Sequence, residues 1–256
     1  MFELDVAALQ HWLNQFMWPL MRISGFCMVA PIVSTALVTP RVRLLLVLFI
    51  TLAVAPNLKG LPTPDPLSPL SVVLVAQQLL IGVGLGFFLQ LMMQTFVMFG
   101  QIAAMQMGLG FASLNDPING VSVASISQFY LMLVTLLFLS LNGHLVMIEV
   151  LTESFYTLPV GADVGGGRLQ VLLGWASWMF GAGLLMSLPA VTALLIINCS
   201  LGVITRAAPQ LNIFAIGFPL MVLLGLMILW VSMNTVLPQF ERYNTEALEA
   251  MRNWVR

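Results

Sequence analysis

The chain of 256 residues carries 9 basic and 10 acidic side chains, only 7% of the total, and 60% of it is hydrophobic. An ordinary soluble domain of this length would hold about 64 charges, at roughly 25%. So thin a charge cover cannot hydrate a globular surface, and with a net charge of −1 composition excludes a soluble enzyme, a disordered chain and a basic nucleic-acid binder.

The medium for most side chains is therefore lipid or other apolar protein. A spanning helix needs about 20 mainly apolar residues. Charge-poor runs predict six helical segments, about 9–34, 41–57, 70–109, 120–150, 170–204 and 211–238. The fold class is all-α: a polytopic membrane protein of about six long, kinked apolar helices.

Residues 1–10 hold Glu3 and Asp5 and no basic side chain. That is not the positive start of a signal peptide, so the first apolar run reads as a retained membrane segment. Arg22 lies inside it, and an intramembrane ionisable residue is a functional candidate. It lines a pathway, snorkels to an interface, or pairs with a neighbouring subunit. Cys27 and Cys199 sit in apolar runs and read as buried thiols rather than disulfide or zinc ligands. Lys59 to Pro66, rich in proline, is a loop.

The third segment is too long for one span. Forty helical residues would measure about 60 Å, twice a hydrocarbon core of about 30 Å. It is either a hairpin broken near Gly82, Gly84 and Gly86, or a long helix buried mostly in protein. The spacing of Gly82 and Gly86 fits close helix contact. With no strand before it, the triplet is not a phosphate-binding loop. Gln90, Gln94 and Gln101 share one helix face, and amides unpaired in lipid must turn to protein or water. Gly100, Ala104, Gly108 and Ala112 repeat small residues every fourth position, which admits another helix closely, from this chain or from a partner subunit. Met92, Met93, Met98, Met105 and Met107 fill gaps in a core or form a pliable seal. Asn115 to Gly120 is a dense turn cluster.

In the fourth segment, Asn142-Gly-His144 places a histidine far from the other one, His11. A metal site lacks its remaining ligands. A satisfied polar contact at a helix end is the plainer reading of His144, and a proton relay the alternative. Pro189 and Pro219 kink the last two runs. The tail Glu241 to Arg256 reads as a short amphipathic helix with Tyr243, Leu248, Met251 and Val255 on one side. With six spans, five basic residues on the side of the termini against three on the other favour both termini in the cytoplasm, and an odd number of spans reverses the count. No catalytic, metal or cofactor constellation is legible, and no repeat.

At Gln106-Met-Gly-Leu-Gly-Phe-Ala-Ser-Leu-Asn-Asp-Pro117 the sequence resembles the FliR family, the export-gate subunit of the bacterial flagellar type III secretion system. Leu137 to Leu145, Phe155 to Gly161, Gly202 to Leu220, Trp18 to Arg22 and Ala30 to Ile32 also match. The resemblance covers nearly the whole chain. The virulence injectisome homologue is a close relative, and the wording of the motifs favours the flagellar member.

The resemblance implies a non-enzymatic, pore-forming subunit without cofactor or metal, its helices arranged as hairpins within a hetero-oligomeric gate. Its partners would be FliP and FliQ, an FlhB-type gate subunit, membrane lipid and unfolded export substrates in transit, with no nucleic acid. Its place would be the bacterial inner membrane, in the flagellar basal body. Residues 1–168 would form a FliP-like part with the plug loop, 169–240 a FliQ-like hairpin and 241–256 a charged tail. The plug would be Gly110, Phe111, Ala112, Ser113, Leu114, Asn115, Asp116 and Pro117. Helix and subunit packing would fall to Gly82, Gly86, Gln90, Gln94, Gly100, Gln101, Ala104, Gly108, Asn142, His144, Arg206, Pro209 and Gln210. The rival from another class is a secondary transporter for a small solute. Transporters place ion-coordinating groups at mid-membrane, often in repeated halves. One candidate arginine and no repeat fit that poorly.

Overall fold

The structure, a computed structural model, describes residues 6–58, 60–64, 68–109, 125–162, 165–207 and 213–256. Within them every regular element is helical. They are α1 (Val6–Val29), α2 (Pro40–Val54) with a 3-10 turn at Ala55–Asn57, α3 (Pro69–Gln106), α4 (Ser125–Ser140), α5 (Gly143–Thr157), α6 (Gly166–Ala207) and α7 (Ile213–Val255).

The protein is an all-α polytopic membrane protein. Among the described residues, four helical stretches are long and apolar enough to cross a membrane: Pro40–Asn57, Pro69–Gln106, Gly166–Ala207 and Gly217–Val255. The bent pair α4 and α5 makes a fifth. The expectation of about six is thus slightly high. In α1, Asn14, Gln15 and Arg22 dilute the apolar run. The fourth expected segment is not straight, since α4 and α5 meet at 70°.

Asn142 makes that bend. Its backbone is left-handed, φ 56 and ψ 25, and its carbonyl accepts from the amides of Leu145 at 2.9 Å and Val146 at 3.3 Å. Asparagine tolerates this region, whereas most L-residues lose roughly 1–2 kcal/mol there. Asn142→Val is expected to lower stability by about that amount, and Asn142→Gly to leave it nearly unchanged. Thermal melts of the detergent-solubilised chain test this, and equal melts for the two variants would refute it.

Of the two readings of the third segment, the long helix holds. α3 runs unbroken for 38 residues, about 57 Å at 1.5 Å per residue. Helix also continues through Pro189 in α6 and through Pro219 and Pro238 in α7. The tail expected as a separate short helix is the last part of α7. There Ala247, Met251, Trp254 and Val255 are buried while Glu249 and Arg256 face outward.

The chain divides into two compact units. The first comprises Met1–Leu91, Leu139–Trp175 and Asn244–Arg256, the second Met92–Phe138 and Ala176–Tyr243. The first is centred on Trp18, Phe26, Ile81, Leu85, Phe88 and Val150. There Phe88 stands edge-on to Trp175 at 5.6 Å and Trp254 at 5.9 Å. In the second, Phe99 meets Tyr130 at 4.8 Å, and Phe96 lies 5.9 Å from Phe240. Each such aromatic pair adds about 0.5–1.5 kcal/mol beyond its buried area.

Apolar side chains also point outward. Leu44, Leu45, Phe49 and Leu52 of α2, Leu185, Ile196 and Val203 of α6, and Leu223, Met227 and Trp230 of α7 are exposed. Cys27 is buried, but Cys199 is exposed. Both were expected to be buried. An apolar run marks preference for a nonpolar medium, and among the described residues nothing covers this face of α6.

Candidate functional site: a buried arginine clamp and the helix ends at residue 109

Three glycines let α1 and α3 touch backbone to backbone in the first unit. A Cβ on Gly82 would fall 2.0 Å from the carbonyl oxygen of Arg22 and 2.7 Å from the amide nitrogen of Phe26. On Gly86 it would lie 2.9 Å from the Ala30 nitrogen, and on Gly25 2.5 Å from the Leu79 oxygen. Such approaches exclude any side chain. Gly84 turns to another neighbour, the indole of Trp254, whose ring would lie 2.6 Å from an added Cβ.

At this crossing Arg22 is wholly buried. Its Nε donates to Gln78 Oε1 at 2.8 Å. Nη1 donates to the Ser154 carbonyl at 2.7 Å and to Ser154 Oγ at 3.1 Å, and Nη2 to the Leu158 carbonyl at 2.9 Å. The guanidinium also sits 4.3 Å from the centre of the Phe155 ring. Ser154 and Leu158 mark the C-terminal end of α5, where a cation is favoured; the Ser154 carbonyl is shared with the Leu158 amide at 3.0 Å, and Leu158 lies past the last helical turn, where carbonyls lack helical partners. One side chain thus joins α1, α3 and the end of α5.

No ion pair among the described residues includes Arg22. Ion pairs elsewhere in this unit link Arg252 to Glu149 and Glu153, and Arg256 to Glu153, at 3.5–3.9 Å near the surface. The buried charge is met by carbonyl and amide dipoles. Of the roles weighed from sequence, Arg22 therefore neither snorkels nor needs a neighbouring subunit: its partners are internal. Beside it, Gln77 Nε2 donates to the Ala162 carbonyl.

The second unit holds the other sequence-predicted cluster. A Cβ on Gly100 would lie 2.8 Å from the Ser127 Cα, so α3 and the start of α4 are in near-backbone contact. Ser127 Oγ donates to Gln101 Oε1 at 3.1 Å, and Ala104 is buried. α3 then stops in a defined way. The Gly108 amide donates to the Met105 carbonyl at 3.0 Å and the Leu109 amide to the Ala104 carbonyl at 3.1 Å. Gly108 itself has φ 80. This double bond pattern with a left-handed glycine is the Schellman ending, and it fixes the direction in which the chain leaves α3.

The residues expected as plug, Gly110 to Pro117, lie outside the described residues, as do Pro209 and Gln210. Met92, Met93 and Met107 are buried. Met107 lies across Gly225 and Met98 against Gly183. Those four fill core gaps, while Met105 is exposed. Met105 lines a groove of about 410 Å³ with Gln106, Asn198, Phe218 and Met221. Gln90 and Gln94 are half-buried.

Asn142 is exposed at the bend, and Arg206 is exposed in the last turn of α6, where a cation suits the helix dipole. His144 corrects the expectation of a satisfied contact. Its buried Nδ1 has no hydrogen-bond partner among the described residues. It follows a bend that is held by the backbone carbonyl of Asn142, with no side-chain cap. No group of three metal-ligating residues occurs among the described residues.

The arrangement is a tightly packed helix junction, set in a polytopic membrane protein with outward apolar faces. Residues 13–247 match the family described as bacterial export proteins, family 1. The chain is 39% identical over 236 residues to the flagellar biosynthetic protein FliR of Escherichia coli K12, covering 92% of this chain and 90% of that one. It is 38% identical over 242 residues to its namesake in Pectobacterium carotovorum (94% and 92% covered) and 32% identical over 217 residues to that of Aquifex aeolicus (84% and 83%). The chain belongs to the FliR family of bacterial export proteins.

Proposed function

We propose that this chain is a structural, pore-forming subunit of a flagellar type III protein export gate in the bacterial inner membrane. The observation that carries the reading is the family match across residues 13–247, and the uncovered apolar faces of α2, α6 and α7 agree with it. Lipid tails favour apolar side chains without selecting a partner, whereas helices that associate in a membrane do so by packing. In this reading FliP and FliQ cover those faces. An FlhB-type subunit adjoins them, and unfolded flagellar proteins cross through the assembly. Residues 1–168 form the FliP-like part, 169–240 the FliQ-like hairpin and 241–256 the tail. The chain catalyses nothing; its chemistry is shape and closure.

Residues 110–117 serve as the plug. α3 closes in a Schellman ending just before this segment, and the Gly100–Ser127 contact holds the two flanking helices together. Co-expression with FliP and FliQ followed by mass measurement is expected to give one complex containing all three. A monodisperse monomer that moves a small solute in liposomes would overturn the reading. Deleting Gly110 to Pro117 is expected to make the complex leaky to small ions in a liposome flux assay, and unchanged permeability would remove the plug assignment.

A further inference from the structure

Between α1 and α2, residues 30–39 form a compact turn in the first unit, and its tip carries Leu37. That side chain is 93% exposed, the most of any large apolar side chain among the described residues. The base of the turn is buried at Ala30 and Val33. The tip is held from within. Arg43 reaches back from the first turn of α2, its Nε donating to the Val33 carbonyl at 3.0 Å and its Nη2 to the Thr35 carbonyl at 3.3 Å. Thr35 Oγ1 donates to the Ile32 carbonyl at 2.9 Å, and the Val38 amide to the Thr35 carbonyl at 3.1 Å. Ile32 itself has φ 75. A β-branched residue is strained there, and such strain persists only where the surroundings enforce one conformation.

From the tip the chain enters an uncovered stripe of α2. Val42, Leu45, Phe49 and Leu52, three and four positions apart, share one side of the helix, and each is more than half exposed. This is one of the faces assigned above to partner subunits, so the tip adjoins that interface. Beside it Arg41 is exposed, and no ion pair or hydrogen bond among the described residues involves it. No acidic residue occurs between Asp5 and Asp65, so this stretch brings no carboxylate of its own to the arginine. A lipid surface adapts to any shape and gains nothing from a fixed turn. A fixed apolar projection beside an unpaired cation suits a preformed protein socket, because little conformational freedom is left to lose on docking.

We propose that Leu37 anchors this turn in a neighbouring subunit of the gate, in an apolar socket with a carboxylate at its rim that meets Arg41. The assignment rests on the export-gate reading above and names the point at which that partner is gripped.

The test uses the full chain co-expressed with FliP and FliQ and purified in detergent. Leu37→Ala is expected to weaken retention of one partner subunit on dilution by roughly thirtyfold, the effect of losing an interface anchor. The melt of the chain alone is expected to stay unchanged, because the side chain touches little of it. Arg41→Glu is expected to weaken the same partner. A benzoyl-phenylalanine photocrosslinker in place of Leu37 is expected to join that partner at an apolar peptide holding an Asp or Glu. Undiminished retention by Leu37→Ala would overturn the proposal. So would crosslinks to lipid alone, or a Leu37→Ala chain whose own melt falls along with the complex. A complex that assembles but ignores Leu37 sinks this proposal only, whereas an unaltered chain that co-purifies with neither subunit sinks the export-gate reading with it.

Discussion

Arg22→Ala is expected to destabilise the chain by roughly 3–5 kcal/mol, enough to deplete it from the membrane. The variant removes the donor from Gln78 Oε1 and from the Leu158 carbonyl, both at a buried crossing. Each buried acceptor left unpaired costs about 1–3 kcal/mol. Ser154 suffers less, because its carbonyl still accepts from the Leu158 amide at 3.0 Å. Lost packing against Phe155 adds to the total. Typical folded domains hold only about 5–15 kcal/mol in reserve. Arg22→Lys is expected to recover only part of the loss. One ammonium is a compact point charge, while the guanidinium is a planar fork that reaches Gln78, Ser154 and Leu158 at once. Circular dichroism melts in detergent, with immunoblots of the membrane fraction, measure both variants. An Arg22→Ala chain that melts with the parent would refute the clamp.

The second large effect belongs to Gly82→Ala, one methyl group. Overfilling a packed core usually costs 1–3 kcal/mol and occasionally more. Here the methyl would meet backbone at 2.0 Å and 2.7 Å, and backbone cannot rotate aside as a side chain does. α1 and α3 must part, drawing Arg22 away from Gln78. The expected loss is therefore about 3 kcal/mol or more. Gly181→Ala is the control. A Cβ there meets nothing within 4 Å, so the substitution should raise helix stability by about 0.5–1 kcal/mol. Thermal melts of the two variants in parallel are expected to move in opposite directions. Coincident melts would mean that α1 and α3 do not approach so closely.

Much of this was readable from residue order, for physical reasons that differ by site. Long uncharged runs dictate helices because a backbone in lipid must pair within its own segment, so the helical class and most segment positions follow. Gly82 and Gly86 announce a close contact through their spacing, although the identity of the neighbour, α1, is tertiary information. Arg22 is conspicuous as a charge in an apolar run. Its partners are not, because Ser154 and Leu158 lie 132 and 136 residues away and offer mostly backbone carbonyls, which every residue has. The bend at Asn142 was missed because an apolar run carries no mark of direction; Asn142-Gly was its one local signal. The extension of α7 is hidden in the sequence by the change from apolar to charged residues, which looks like a break. A helix needs continuous hydrogen bonds, not continuous hydropathy.

Among the described residues Arg22 is the one buried charge. Dissolved ions weaken charge pairs that water reaches and scarcely touch those it does not. The Arg252 pairs, with side chains 35–67% exposed, should fade as ionic strength rises. The guanidinium held by carbonyls should not. The junction of α1, α3 and α5 is thus built to grip equally in dilute buffer and in brine.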